Sequence, residues 1–150
     1  MLKITRVKAN DCELIQDIVK INAEELKEGY INANELPEIF SDNGQIFLVA
    51  RWDDEVVGFL HCNFKVSDNT ELLSIAVASR YQKNGIASKM FNVLLNELTS
   101  HNVNKIYLEV AEQNYKAIAL YKRLKFVEYN RRSKYYENGD NAICMFLNIN

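Results

Sequence analysis

Two polar residues stand where the sequence pattern predicts apolar packing. Glu109 lies inside the strand-like stretch 104–111, although acidic residues are depleted from strands. Tyr121 lies on the apolar face of the helical pattern 114–124. A carboxylate can accept a proton and a phenol can donate one. The plainer interpretations are a solvated Glu109 beyond the covered part of its strand and a Tyr121 that packs in the core.

A third feature is a turn with the geometry that binds phosphate. The apolar stretch 70–77 leads through a short basic turn into a helical pattern that opens at Gly85. The first backbone N–H groups of a helix lack internal partners, and the helix dipole adds partial positive charge there. Gly85 admits a ligand close to the main chain, and Ala87 and Ser88 add little bulk. The pattern therefore predicts a site for an anionic cofactor; the alternative is a surface turn whose glycine only starts a helix.

The spacing of this turn excludes two common nucleotide loops, because neither G-x-x-x-x-G-K-[ST] nor G-x-G-x-x-G is present. Gln82-x-x-Gly85-x-Ala87 resembles the pyrophosphate-binding signature Q/R-x-x-G-x-G/A of the GNAT acetyltransferases. The string LEVAEQNYKAIALYKRLKF is similar to the segment L-x-V-x-x-x-N-x-x-A-x-x-L-Y-x-x-x-G-F of the same family. The resemblance covers about residues 55–149. Lys125 departs from it, since the family usually has glycine at this left-handed helix end.

The resemblance implies a fold, a cofactor and roles for particular residues. The fold is α/β, of the mixed α+β kind: a mostly antiparallel central sheet with helices on both faces and a splay between strands 4 and 5, here 70–77 and 104–111. The cofactor is acetyl-CoA. Glu109 is the general base, directly or through a water, and Tyr121 is the proton donor to the coenzyme A sulfur. The implied cofactor-binding residues are Ile75, Ala76 and Val77, whose backbone N–H groups stabilise an oxyanion, together with Gln82, Lys83, Asn84, Gly85, Ile86, Ala87, Ser88 and Asn114.

The C-terminal segment narrows the resemblance to one group within the family. Residues 131–142 are similar to the R-R-x-Y-Y-x-x-x-x-D-A loop of the ribosomal-protein alanine N-acetyltransferases. The resemblance places Tyr135 and Tyr136 beside the acceptor, although tyrosines flanking an Asn138-Gly139 hairpin turn can simply pack on the strands. The aromatic-Pro-Trp segment usual in that group is missing; residues 24–36 stand in its place.

The acceptor implied by this resemblance is a primary amine, with a protein N-terminus favoured. An α-amino group of pKa ~7.8 is neutral about once in seven at pH 7, and a lysine amine of pKa ~10.4 about once in 2,500. One carboxylate base, worth roughly 10²–10⁴ in rate, therefore suits an α-amine better. Two alternatives stay open: an acetyltransferase for small amines such as polyamines, amino sugars or antibiotics, and a non-catalytic acyl-CoA-binding module. The presence of both Glu109 and Tyr121 disfavours the second.

Composition agrees with one domain over residues 1–150, since 48% of the 150 residues are hydrophobic. No apolar run of 18 residues and no signal peptide occur, so we expect a cytoplasmic protein away from membranes. The 3 cysteines are scattered, and no metal site is expected. His61 and Cys62 are neighbours on a strand pattern and are expected to pack on opposite faces. Whether the protein is a monomer or a homodimer stays open.

Charge is unevenly divided along the chain. Residues 1–75 hold 14 acidic and 7 basic residues, and residues 76–150 hold 6 acidic and 11 basic residues. The basic half suits a polyanionic cofactor, and the acidic half suits a cationic amine. The net charge of −2 and the lack of a basic run argue against nucleic acid as a partner. The acidic residues expected near the amine are Glu24, Glu25, Glu28, Glu35 and Glu38.

Hydrophobic periodicity and turn residues predict the order of the elements. Helices are expected at 11–28, 36–40, 85–100 and 114–124. Strands are expected at 2–8, 45–52, 55–66, 70–77, 104–111, 125–132 and 142–149, with a hairpin over Asp53-Asp54.

Overall fold

The computed structural model describes residues 1–26 and 31–149, and its elements follow the predicted order. The helices are α1 Ile15–Glu25, α2 Leu36–Ser41, α3 Ile86–Ser100 and α4 Tyr115–Arg123. The strands are β1 Leu2–Arg6, β2 Gln45–Trp52, β3 Glu55–Asn63, β4 Thr70–Val77, β5 Lys105–Ala111, β6 Val127–Arg132 and β7 Ala142–Asn148.

The seven strands form one sheet in the order β1-β2-β3-β4-β5-β7-β6. Neighbouring strands are antiparallel except β4 and β5, which are parallel because α3 connects them across one face. The tight turn at Asp53 and Asp54 joins β2 to β3, and Trp52 pairs with Glu55 across it. The mixed, mostly antiparallel sheet confirms the predicted fold class.

Helices cover both faces of the sheet, and each face has its own apolar cluster. On one face α1 and α2 pack through Ile18, Ile21 and Leu36 against Phe47 and other side chains of the central strands. The opposite cluster is larger and buries the apolar side of α3. Its helix residues are Ile86, Met90, Phe91, Leu94 and Leu98. Since successive side chains of a strand point to opposite faces, the alternating residues of β2 contribute to both clusters.

The central strands β4 and β5 are paired over only a short part of their length. Their pairing consists of Thr70 with Ile106 and Glu71 with Tyr107, near the start of each strand. Beyond that point β4 continues to pair with β3, where Ile75 lies opposite Leu60. A register shift beside Leu73 accompanies the separation. The predicted splay is therefore present, and it opens a wedge inside the sheet.

Several predicted bounds differ in detail from the structure: the strand expected over 55–66 ends at Asn63, and the strand expected over 125–132 begins at Val127. The helix expected over 11–28 begins as a 3-10 turn at Cys12–Leu14 and ends as α1 at Glu25, since the Leu26 backbone is extended. Residues 27–28 of that prediction lie outside the described residues. Lys125 does adopt the left-handed conformation, with φ of 79°, so the turn after α4 keeps its shape without glycine.

Candidate active site

The wedge between β4 and β5 opens into a cleft of about 820 Å³. The sequence predicts cofactor-binding or catalytic roles for thirteen residues, and all of them except Asn84 line this cleft. Tyr136 lines it as well, whereas Tyr135 does not. The cleft-lining residues from the prediction are Ile75, Ala76, Val77, Gln82, Lys83, Gly85, Ile86, Ala87, Ser88, Glu109, Asn114, Tyr121 and Tyr136.

The turn before α3 presents its backbone to one end of the cleft. Gly85 is the N-cap of the helix, with φ of 76°, and no side chain caps this end. A side-chain carbon added at Gly85 meets no atom within 4 Å, so the space beside the turn is open. Asn84 has a different task, because its side chain donates hydrogen bonds to the carbonyls of Tyr81 and Gln82. The first N–H groups of α3 therefore face a space that an anion could occupy.

Gln82 holds this turn against the end of β4. Its side-chain Nε2 donates to the carbonyl of Val77 at 2.8 Å and to Oε1 of Glu25 at 2.9 Å. Both hydrogens of the amide are therefore used. The residue matched to the family signature acts, in this structure, as a brace between the strand and the turn.

Glu25, at the last position of α1, anchors the same turn from the other side. Its Oε2 accepts hydrogen bonds from the backbone N–H of Ser79 at 3.2 Å and from Ser79 Oγ at 2.9 Å. Lys116 Nζ on α4 lies 3.7 Å from Oε1. The Glu25 side chain is only 9% exposed. It thus ties α1, the turn and α4 together at one point.

The expected acidic surface for an amine is not assembled as predicted. Of the acidic residues in question, Glu25 alone lines the cleft within the described chain, and it binds the turn. Glu24, Glu35 and Glu38 are exposed and lie outside the cleft, and Glu28 lies outside the described residues. The distribution of charge along the sequence could not show that the Glu25 carboxylate would be used in hydrogen bonds to the turn.

Glu109 lies at the other end of the cleft, in a charged cluster that the sequence did not reveal. Arg132 on β6 places a guanidinium nitrogen 3.5 Å from Glu109 Oε1. The Tyr135 hydroxyl lies beside the Glu109 carboxylate, and its interaction with that carboxylate raises the pKa of Tyr135. Burial raises the pKa of Glu71, and the nearby charge of Glu109 adds to the effect. Two carboxylates, one cation and one phenol therefore meet at this point.

The loop between β6 and β7 brings aromatic rings to this cluster. The rings of Tyr135 and Tyr136 lie 5.2 Å apart, edge to face. The guanidinium carbon of Arg132 lies 5.4 Å from the centre of the Tyr135 ring. Tyr136 lines the cleft, and Tyr135 lies beside Glu109.

Tyr121 on α4 lines the cleft. Its ring packs edge to face against Phe126, with ring centres 6.0 Å apart. The helix that carries it begins at Asn114, whose side chain accepts a hydrogen bond from the Ala117 N–H at 3.3 Å. Asn114 is therefore the N-cap of α4. Tyr121 is both a packing residue and a cleft residue, because the ring is only partly buried.

His61 joins the cleft wall through a chain of hydrogen bonds. The Gln45 Nε2 donates to Asp42 Oδ2 at 3.1 Å, so Gln45 Oε1 faces His61 Nε2, 2.6 Å away. Since a carbonyl oxygen only accepts, His61 Nε2 must carry the hydrogen and Nδ1 is left as an acceptor. Burial lowers the pKa of His61 to about 4, so the ring is neutral at pH 7.

His61 also confirms one packing prediction. Its ring lies 5.2 Å from that of Phe47 on the α1 face, whereas Cys62 lies in the cluster on the α3 face. The two side chains do point to opposite faces. The sequence offered no signal for the link to Gln45, which is 16 positions away and is brought near only by strand pairing.

Comparison with known proteins gives three findings. The family model described as "Acetyltransferase (GNAT) family" matches residues 13–126. An N-alpha-acetyltransferase of Saccharolobus solfataricus is 33% identical over 143 residues, covering 87% of this chain and 85% of its own. The ribosomal protein bS18-alanine N-acetyltransferase of Escherichia coli is 39% identical over 87 residues, or 56% of this chain and 59% of its own.

The fold alone is shared more widely. The crystal structure of an aminoglycoside 6'-acetyltransferase type Ii superposes with a TM-score of 0.83 at 23% identity, over 99% of this chain and 97% of that one. At this identity the likeness shows the fold and leaves the acceptor undecided.

Neither a metal cluster nor a membrane span occurs in the described part of the chain. Within residues 1–26 and 31–149 no group of three or more His, Cys, Asp or Glu side chains is placed to hold a metal ion. No helix in the same ranges is long and apolar enough to span a bilayer.

The buried His61 predicts a pH dependence of stability. Its pKa is about 4 in the folded protein against an ordinary value of 6.5, so the unfolded chain binds a proton first as pH falls. The free energy of unfolding should therefore decrease by about 3 kcal/mol between pH 6.5 and pH 4. Urea unfolding at a series of pH values measures this decrease. The slope should flatten in His61→Gln and persist in His101→Gln, which changes an exposed histidine; an equal slope in both variants contradicts the assignment.

The anchoring role of Glu25 predicts an effect on the affinity for coenzyme A. Glu25→Ala removes the acceptor for Ser79 and Gln82, so the turn should lose its prearranged shape and affinity should fall about threefold to tenfold. Simple electrostatics predicts the opposite, because the variant loses a negative charge beside an anion site. Calorimetric titration with coenzyme A separates the two, and the matched control is Glu24→Ala, at the exposed position before it. Tighter binding by Glu25→Ala would show that charge, not anchoring, dominates.

Proposed function

This chain belongs to the acetyltransferase (GNAT) family, and we propose that it transfers the acetyl group of acetyl-CoA to the N-terminal α-amine of a protein. One observation carries the proposal. A single cleft contains the open helix-starting turn, the separated strands, Glu109 and Tyr121. Anion binding, backbone donors, a base and an acid are thus within one cavity.

The cofactor end of the cleft fits acetyl-CoA in chemistry and in space. The N–H groups that begin α3 are not capped by a side chain, and Gly85 leaves the approach open. They would hold the pyrophosphate, with Lys83 adding positive charge. Beyond the turn, the wall of the cleft is formed by the buried Ile75, Ala76 and Val77 of β4. Acetyl-CoA supplies an activated acyl group as a thioester.

The residues of the chain supply the remaining functions. The β4 backbone N–H groups that point away from β3 have no strand opposite them beyond the short β4–β5 pairing, and they would donate to the acyl oxygen as it gains charge. Glu109 would take a proton from the amine, directly or through a water. Tyr121 would hold at its Oη the proton that the departing sulfur requires.

The acceptor end favours a peptide over a compact small molecule. Tyr135 lies beside Glu109, and Tyr136, next to it on the loop, lines the cleft; together they would form a border for an extended chain. One relative, matched over 87% of this chain, is named an N-alpha-acetyltransferase, and another is named a ribosomal protein bS18-alanine N-acetyltransferase. An α-amine also demands less of a base than a lysine does, by roughly 3.5 kcal/mol.

A panel of acceptors tests the proposed substrate class. Peptides with a free N-terminus should be acetylated at the α-amine at least about tenfold faster than N-blocked peptides with a free lysine. Thiol release measures the rate, and mass spectrometry locates the acetyl group. Activity confined to lysine side chains, polyamines or aminoglycosides would remove the N-terminal assignment and leave the acetyltransferase family assignment intact.

Variants of Glu109 and Tyr121 test the two proton-transfer roles. Glu109→Gln should slow transfer by about 10²–10⁴, and the loss should shrink as pH rises and the amine loses its proton unaided. Tyr121→Phe keeps the ring that packs on Phe126, so it should slow transfer while the loss stays nearly constant between pH 7 and pH 9.

The matched control for charge is Glu128→Gln, which removes a carboxylate that pairs with Arg131 on the same strand. This variant should transfer acetyl at close to the wild-type rate. If Glu109→Gln or Tyr121→Phe behaves in the same way, that residue is a packing residue and its proposed role is wrong.

A further inference from the structure

Three polar side chains lie side by side on the α1 face of the sheet, within the cleft. His61 and Ser74 are direct cross-strand partners on β3 and β4, so their side chains share a face. Asn22 lies on α1, which packs over the same two strands. All three line the cleft. We call Asn22, His61 and Ser74 the polar wall.

Two atoms of the polar wall are buried and unpaired. Asn22 is 2% exposed, and its Oδ1 has no hydrogen-bond partner among residues 1–26 and 31–149. The same holds for Ser74 Oγ over the described chain. Buried polar groups are paired in the great majority of cases, because leaving one unpaired costs free energy. Both residues also line the cleft, so a bound group that enters it could supply the missing hydrogen-bond partner.

The chemistry of these atoms defines that group. Asn22 Oδ1 accepts hydrogen bonds and cannot donate them. His61 is neutral and keeps Nδ1 as an acceptor, since its Nε2 hydrogen is used by Gln45. Ser74 Oγ can accept or donate. The ligand group that matches these acceptors is a small hydrogen-bond donor, such as a hydroxyl.

The position of the polar wall relates it to the acceptor. Glu109 lies on the same face of the sheet, because Ile106, Leu108 and Val110 of β5 all point to the α3 cluster. An α-amine held at Glu109 has the side chain of its own residue only two bonds away. That side chain would share the cleft with Ser74 of β4, which lies on the same face of the sheet.

We propose that the polar wall selects acceptors whose first residue carries a hydroxyl, that is serine or threonine, over the equally small alanine. The inference rests on the proposed function, since it concerns the acceptor of the same reaction. Asn22 and Ser74 are the specificity-determining residues, and Gln45 and Asp42 position His61 beside them.

Matched peptides test this selectivity. Two pairs that differ only in the first residue are compared: serine with alanine, and threonine with 2-aminobutyric acid. The wild-type protein should prefer the hydroxyl member of each pair by about tenfold in kcat/KM. Asn22→Leu and Ser74→Ala should each reduce that ratio to below about threefold. Thr70→Val is the control: it removes a hydroxyl that is fully buried in the same strand but outside the cleft, so the ratio should not change.

A stability measurement gives a second readout that does not depend on activity. Replacing an unpaired buried polar atom by an apolar group should keep or raise the unfolding midpoint. Asn22→Leu and Ser74→Ala should therefore lose selectivity without losing stability. If Asn22→Leu does not fold, Ser74→Ala by itself tests the role of the polar wall. A clear fall in the midpoint of both variants would mean that the atoms are already paired in the free protein and would overturn the inference.

The outcomes also separate this inference from the proposed function. If no peptide α-amine is acetylated, the proposed function fails. If serine and alanine peptides are acetylated equally well, or the preference for serine survives in both variants, the N-terminal assignment stands and the polar wall has no selective role.

Discussion

The structure depends on the separation of two parallel strands in the middle of a sheet. Strands β4 and β5 pair at Thr70 and Glu71 and then part, although both continue for several residues. Backbone N–H and C=O groups at such a place need partners from elsewhere. Antiparallel pairing with β3 holds one side of β4, and the side chain of Gln82 supplies a donor for the carbonyl of Val77. The space between the separated parts of β4 and β5 is the cleft.

The two ends of the cleft are stabilised by opposite means. At the turn before α3, the main chain itself is the functional surface, so the side chains of Gln82 and Glu25 are engaged in holding its shape. At the far end the side chains are the functional surface, and Arg132 and Tyr135 gather around Glu109. The negative charge of Glu25 close to the proposed phosphate site should, by itself, weaken the binding of an anion. Its hydrogen bonds to Ser79 and the neighbouring Lys116 offset that cost.

The face of the sheet under α1 departs from an ordinary apolar core. Phe47, Phe59 and Ile18 pack there as expected, yet Asn22, His61 and Ser74 interrupt the packing beside the cleft. An unpaired buried acceptor lowers the stability of the free protein. Its presence in the cleft that also contains Glu109 fits the general tendency of functional sites to hold groups that only a ligand can satisfy.

Local patterns in the sequence were sufficient to predict the order of the elements, the fold class and the family. Periodicity locates α3 and β5, and Gly85 marks the start of a helix. The motif around Glu109 and Tyr121 lies within one continuous stretch of chain. Such signals need no knowledge of which residues meet in space.

Contacts between residues that are far apart in the sequence could be identified only in the folded chain. Glu25 and Ser79 are 54 positions apart in the sequence, and they are joined by a hydrogen bond. Glu25 was expected to attract a cationic amine, but this bond makes it an anchor for the turn before α3. Arg132 reaches Glu109 because β7 inserts between β5 and β6. Asn22 and Ser74 come to one cleft through helix packing on a sheet. Hydrogen bonds and ion pairs act over a few ångströms, so their partners depend on the assembled fold and not on spacing along the chain.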